Sequence, residues 1–153
     1  PYEREETDLY ELCREILRRM EERASAAGVH LYLKGPHKKI TTVQTILDEV
    51  LNNLCDNGIK YNKKGGNLTV TIEEGEGETR ISVEDQGIGI PAEDQKRVFE
   101  RFYRVDKSHS KAIGGTGLGL SIVKHGAMYL GAEVKVESTL GKGSTFTLVL
   151  PEQ

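Results

Sequence analysis

The chain has 153 residues, a formal net charge of −3 and 37% hydrophobic residues, which suits a single domain around one core, at the usual ~100–200 residues per domain. The mildly acidic, mixed charge argues against a general nucleic-acid binder, which needs a concentrated basic surface. No apolar run approaches the roughly 20 residues needed to span a bilayer and no signal peptide opens the chain, so this piece is expected to be soluble.

Thr7 and Asp8 are placed to cap a helix whose apolar positions Leu9, Leu12, Cys13, Ile16, Leu17 and Met20 follow helical spacing, ending near Gly28. Val29, Leu31 and Leu33 then alternate with polar residues as in a strand. Thr41-Thr42 is expected to open a second helix carrying Val43, Ile46, Leu47, Val50, Leu51 and Leu54 on one side. Cys13 and Cys55 each sit in a helix-like pattern with no second cysteine nearby, which reads as reduced core thiols rather than a disulfide or zinc site.

Leu68, Val70 and Ile72 alternate, as do Ile81 and Val83, with Gly75-Glu76-Gly77 suited to a hairpin turn between them. Ala92 to Tyr103 reads as a short helix, and the polar stretch from Asp106 to Gly117 as a mobile loop. Leu118 to Leu130 is helical again, followed by strands at Val134–Glu137 and Thr145–Leu150 around the turn Leu140-Gly141-Lys142-Gly143. Helices combined with hairpin-connected strands predict an α+β two-layer sandwich, a mixed, mostly antiparallel sheet with helices on one face.

Three glycine clusters need a reason, because glycine permits close backbone approach and positive φ. Gly87-Ile-Gly89-Ile-Pro-Ala92 fits a dinucleotide fingerprint and follows a strand, but no strand-helix-strand unit comes after it. Asp85 is the more informative residue there: a carboxylate at a strand end, suited to accept a hydrogen bond from the amino group of a flat base. Gly114-Gly115-Thr116-Gly117-Leu118-Gly119 runs directly into a helix. Free N–H groups at such a start make an anion site, the alternative being a flexible hinge. Gly141-Lys142-Gly143-Ser144-Thr145 lacks phosphate-loop spacing, since Val136 stands where the first glycine is needed and Gly143 where Ser or Thr is needed, and it is expected to be a turn.

Asn53 and Asn57 lie one helical turn apart on the same side of the second helix, with Lys60 and Tyr61 extending that region. Asparagine is a mediocre helix former, so its repetition among Leu and Val calls for a reason. A side-chain carbonyl suits Mg²⁺, which favours few protein ligands plus phosphate and water. A solvated polar face is the alternative.

In chain order, Asn53-Leu-Cys-Asp-Asn57-Gly-Ile-Lys60-Tyr61, Asp85-Gln-Gly87-Ile-Gly89, Phe99-Glu-Arg-Phe102-Tyr103-Arg104 and Gly115-Thr-Gly117-Leu-Gly119-Leu resemble the N box, first glycine box, F box and second glycine box of the sensor histidine kinases. The likeness runs from about Thr41 to Pro151, and before Thr41 it is one of pattern only. It implies the Bergerat sandwich of histidine kinases, gyrase-type ATPases and heat-shock chaperones, as one ATP-binding catalytic domain over residues 1–153. Residues 1–7 would be the end of a linker from a dimerisation domain, and 104–117 a flexible ATP lid. By the same likeness Asn57 would be the Mg²⁺ ligand with Asn53 beside it. Lys60 and Arg104 would reach the phosphates, and these four would be the catalytic set. Tyr61 would lie along the base, and Asp85 would bond the adenine amino group in a pocket shaped by Gly87, Gly89 and Ile90. Gly115, Thr116, Gly117, Leu118 and Gly119 would complete the ATP site, with N–H groups of the glycine box on the phosphates, while Phe99 and Phe102 would anchor the lid. Two departures are visible: Gln86 stands where the family usually has Asn, and Thr41-Thr42 near a frequent Asp.

None of His30, His37, His109 and His125 precedes an acidic residue, so none has the context of a phosphoacceptor. The resemblance therefore implies transfer from Mg-ATP to a histidine on a separate helical hairpin of the same kinase, then onward to a response regulator. The fragment would be monomeric and cytoplasmic, and the intact kinase a membrane-anchored homodimer. An anti-sigma-type serine kinase and a stand-alone ATPase share the fold, but both typically carry a glutamate base one turn before the metal asparagine, where Asn53 stands. A degenerate nucleotide-binding module used only for protein contacts is a third alternative.

Overall fold

The structure, a computed structural model, describes residues 3–100 and 119–152. Strand β1 (Glu5–Asp8) leads into helices α1 (Leu9–Arg19) and α2 (Glu21–Ala27), then strands β2 (His30–Lys34) and β3 (Lys39–Thr42). Helix α3 (Gln44–Lys60) is followed by β4 (Asn67–Gly75), β5 (Glu78–Asp85) and a 3₁₀ turn at Ala92–Asp94. Helix α4 (Gly119–Tyr129) and strands β6 (Glu133–Thr139) and β7 (Gly143–Pro151) complete the order.

The main sheet runs β2-β4-β5-β7-β6, with β2 parallel to β4 and every other pair antiparallel. Its strands alternate by the two-residue period, so Leu68, Val70, Ile72, Ile81, Val83, Phe146, Leu148 and Leu150 point to one face and are buried. The helices cover that face with Leu9, Ile16, Leu47, Leu51, Leu54 and Val123, closing one core. This is the expected α+β sandwich. Cys13 and Cys55 are free and buried in it, and burial pushes the Cys13 thiol up to about 12.

Asp8 caps α1 as its spacing predicts, its Oδ1 accepting the Glu11 N–H at 3.1 Å. The expected single helix up to Gly28 is two helices meeting at Met20, where φ −101° and ψ −2° leave the helical path while the side chain stays wholly buried. Gly28 ends α2 in the left-handed conformation. Thr41-Thr42 does not open α3. Both threonines lie in β3, which pairs antiparallel with β1, and the helix starts after Val43 with no side-chain cap. The β-branched run Ile40-Thr41-Thr42-Val43 favours extended backbone, and the β1 ladder takes up its hydrogen-bonding groups. The Thr7 hydroxyl reaches Gln44 Oε1 at 3.2 Å, tying that ladder to the helix start.

Of the helix expected at Ala92–Tyr103, the described part, as far as Glu100, holds only the 3₁₀ turn at Ala92–Asp94. After the 3₁₀ turn come successive three-residue turns, with Arg97 N–H donating to Asp94 O and Glu100 N–H to Arg97 O. That tighter winding lets Val98 bury and Phe99 meet Phe146 edge-on at 6.0 Å between centroids. The two-residue Glu76-Gly77 turn and the turn after Thr139 are hairpins as expected, with Gly77 at φ 69° and Gly141 at φ 83°.

Candidate functional site

One end of the sheet gathers three chain connections. There β5 ends at Asp85, β4 begins at Asn67, and β6 turns into β7 between Thr139 and Gly143, while α3 ends above them at Lys60. Asp85 is buried on the helix-covered face, in register with Leu68. Its Oδ1 accepts two backbone N–H groups, Gly87 at 2.9 Å and Ser144 at 3.2 Å. Its Oδ2 accepts no hydrogen bond from the described residues, so one carboxylate oxygen is fixed and the other is left for a donor. Burial pushes the carboxyl up to about 6, against the pull of the two amides.

The glycines around Asp85 are there for want of room. A Cβ on Gly87 would lie 1.9 Å from Tyr61 O, and Gly89, at φ 74°, would place one 2.2 Å from Thr139 O. The loop between them is pinned at both ends, Ile88 N–H donating to Tyr61 O at 3.1 Å and Gly141 N–H to Ile88 O at 2.8 Å. Tyr61 thus holds the loop through its backbone, whatever its ring does. Gln86 also has a place, its Oε1 accepting the Asn67 N–H at 2.8 Å at the start of β4.

On α3 the amide of Asn53 donates to Glu49 O at 2.8 Å, which turns its Oδ1 outward. A Cβ on Gly119, the first residue of α4, would lie 3.5 Å from that oxygen, so the polar face of α3 and the end of the second glycine cluster are neighbours. Asn57 is half-buried and its side chain makes no hydrogen bond among the described residues. Lys60, exposed, pairs with the half-buried Asp56 at 3.3 Å, and Asp56 is also held by Arg23, so Lys60 can exchange this partner for another anion without stranding the carboxylate. Ile90 is buried behind the loop. Arg104, Gly115, Thr116, Gly117 and Leu118, with Phe102 and the expected 104–117 lid, lie outside the described residues.

The structure therefore brings Asn53, Asn57, Tyr61, Asp85, Gly87, Gly89, Ile90 and Gly119 to one end of the fold. It adds Ser144, whose amide meets Asp85, and Gly143, where a Cβ would fall 2.1 Å from Asp85 O. Neither carries a sequence signal beyond a hairpin turn, because their roles exist only through the β5–β7 pairing. Among the described residues no group of three or more His, Cys, Asp or Glu could hold a metal ion. An asparagine oxygen is a ligand of the kind that Mg²⁺ takes alongside phosphate and water.

A family model for histidine kinase-, DNA gyrase B- and HSP90-like ATPases matches residues 42–153. The sensor histidine kinase WalK of Bacillus subtilis is 44% identical over 123 residues, 79% of this chain and 19% of WalK. The sensor-like histidine kinase SenX3 of Mycobacterium tuberculosis is 40% identical over 147 residues, 95% of this chain and 36% of SenX3. Full-length ShkA, solved in complex with AMPPNP, matches with a TM-score of 0.87 at 28% identity, covering 99% of this chain and 32% of that one. The chain spans well under half the length of these relatives.

Proposed function

Because the chain belongs to the histidine kinase-, DNA gyrase B- and HSP90-like ATPase family, as the ATPase domain of a sensor histidine kinase, we propose that it binds ATP with Mg²⁺ and presents the γ-phosphoryl group to a histidine on a separate helical hairpin. The observation that carries this reading is Asp85, a buried carboxylate with Oδ1 held by two amides and Oδ2 left for a donor, in a loop whose glycines pack directly on the backbone of Tyr61 and Thr139. An adenine amino group is a donor that suits this oxygen. Asn57, with Asn53 beside it, would hold Mg²⁺, which supplies charge neutralisation to the phosphates when bound. Lys60 would exchange Asp56 for a phosphate. Arg104 and the N–H groups from Gly115 to Gly119 are assigned to the phosphates by their place in the family's boxes.

Asn53 has no useful basicity, which leaves this chain with positioning and electrostatics rather than proton abstraction. His30 lies in β2, His37 in the β2–β3 connection and His125 in α4 with Nδ1 2.8 Å from Ser121 O, and none precedes an acidic residue. In this reading the acceptor histidine belongs to another segment of the kinase and a response regulator is the next recipient, with the intact protein a membrane-anchored homodimer, as the likeness to sensor histidine kinases implies. Among the described residues no helix is long and apolar enough to cross a membrane. Calorimetry with a non-hydrolysable ATP analogue tests the reading: binding that weakens on Mg²⁺ chelation is expected, and no binding at millimolar nucleotide overturns it.

A further inference from the structure

Ile90 is the last residue of the glycine loop, it is buried, and it lies in no strand. Both its backbone groups are nonetheless bonded by side chains from outside the loop. Its N–H donates to Ser138 Oγ at 2.7 Å, and its carbonyl accepts from Gln95 Nε2 at 3.0 Å. The same Gln95 amide donates to Ser138 O at 3.0 Å, so one glutamine joins the loop to the last turn of β6.

Ser138 continues the connection toward the carboxylate. Its single proton goes to Gly143 O at 2.9 Å. With that proton on Gly143 O, the Ser144 hydroxyl 2.7 Å away is the donor of the pair. Ser138 and Ser144 are cross-strand partners on β6 and β7, and the next strand over brings Asp85, whose Oδ1 accepts the Ser144 N–H. Strand alternation puts all three on the helix-covered face with Val136, Phe146 and Val83. One hydroxyl thus meets, directly or through one residue, both the glycine loop, through Ile90, and the Asp85 carboxylate, through Ser144.

We propose that Ser138 and Gln95 are positioning residues for base recognition. They hold Ile90 and Ser144 where the Gly87 and Ser144 amides both meet Asp85 Oδ1, so that Oδ2 faces the 6-amino group of the purine. The proposal rests on the assignment of Asp85 to that amino group. It predicts an effect confined to ligands that carry the group, since phosphate and sugar contacts lie elsewhere.

The test is calorimetric titration of the 153-residue chain with ATP and with purine riboside triphosphate, which has hydrogen in place of the 6-amino group. The parent should prefer ATP. Ser138→Ala should weaken ATP by about 3- to 10-fold, the scale of a misplaced hydrogen bond, and leave purine riboside triphosphate unchanged. Ser138→Thr, which keeps the hydroxyl, should restore the preference. Gln95→Leu, which keeps volume and removes the amide, should show the same selective loss, and it carries the comparison should Ser138→Ala fold poorly. Variants that keep the parent's preference overturn the proposal, as does equal weakening of both ligands, which marks a merely structural role. A parent with no preference for ATP overturns the Asp85 assignment itself, an outcome read from the parent alone.

Discussion

Asp85 Oδ1 accepts the Gly87 N–H at 2.9 Å, which makes the carboxylate and the glycine two residues on a single unit. The carboxylate cannot swing without breaking the loop, and the loop cannot shift without uncovering a buried charge. Bulk water would solvate that charge better, and burial accordingly raises the carboxyl to about 6.

Stability and binding should therefore respond to pH in opposite directions. The folded chain holds the Asp85 proton more tightly than the unfolded chain, whose carboxyl titrates near ~3.9. The resulting stability is complete below about pH 4 and is lost as pH rises through about 6. ATP binding needs the ionised form and should fall as pH drops through about 6. Asp85→Asn should raise the neutral-pH melting temperature while weakening ADP and ATP alike by ~1–3 kcal/mol. Melting curves and titrations on parent and variant check both, and a variant that binds ATP like the parent would remove Asp85 from the site.

Asn57→Ala should act on the metal alone. Its side chain is half-buried with no partner among the described residues, so truncation leaves no stranded group behind. The expected result is ATP binding that no longer responds to Mg²⁺, with phosphoryl transfer lost. Titrations with and without a chelator measure the first, and transfer to the acceptor hairpin the second. An undiminished Mg²⁺ response would contradict the assignment.

Gly126 gives a prediction whose sign is diagnostic. Alanine in place of an open helical glycine stabilises by roughly 0.5–1 kcal/mol. Here the new Cβ would lie 2.4 Å from Val50 Cγ2, between α4 and α3. Overpacking typically costs ~1–3 kcal/mol, so the net effect of Gly126→Ala should be destabilising. Denaturant unfolding decides it, and a stabilised variant would mean that α3 and α4 are less tightly apposed. Gly87→Ala, which meets backbone at Tyr61 and not a movable side chain, should abolish nucleotide binding outright.

Incubated alone with labelled ATP, the chain should show negligible self-phosphorylation. Adding the matching helical hairpin as a separate chain should put acid-labile, base-stable label on that hairpin, the behaviour of phosphohistidine. The rate should be low, because separate chains lack the effective concentration of a covalent link. Acid-stable label on serine would instead move the protein to the serine kinases.

The sequence by itself determined the class of fold and the hairpins, and it singled out the residues from which the site is proposed. Leu and Val at helical or alternating spacing report burial directly, and Asn53, Asn57 and Asp85 stand out as polar residues in or at the end of apolar elements, whereas Gly87 and Gly89 answer to backbone packed against them. Thr41-Thr42 misled because threonine serves a helix cap and a strand equally well, and only the distant partner Glu5–Asp8 selects the strand. In the stretch Ala92–Glu100 the spacing misled because it does not distinguish a helix from consecutive tight turns, and only the packing of Val98 and of Phe99 on Phe146 goes with the tighter winding. The connections through Ser138, Gln95, Ser144 and Gly143 left no trace in the sequence. Ser138 and Asp85 are 53 residues apart in the chain, and their coupling arises only where β5, β7 and β6 pair side by side and a hydroxyl or an amide satisfies backbone groups that no strand reaches.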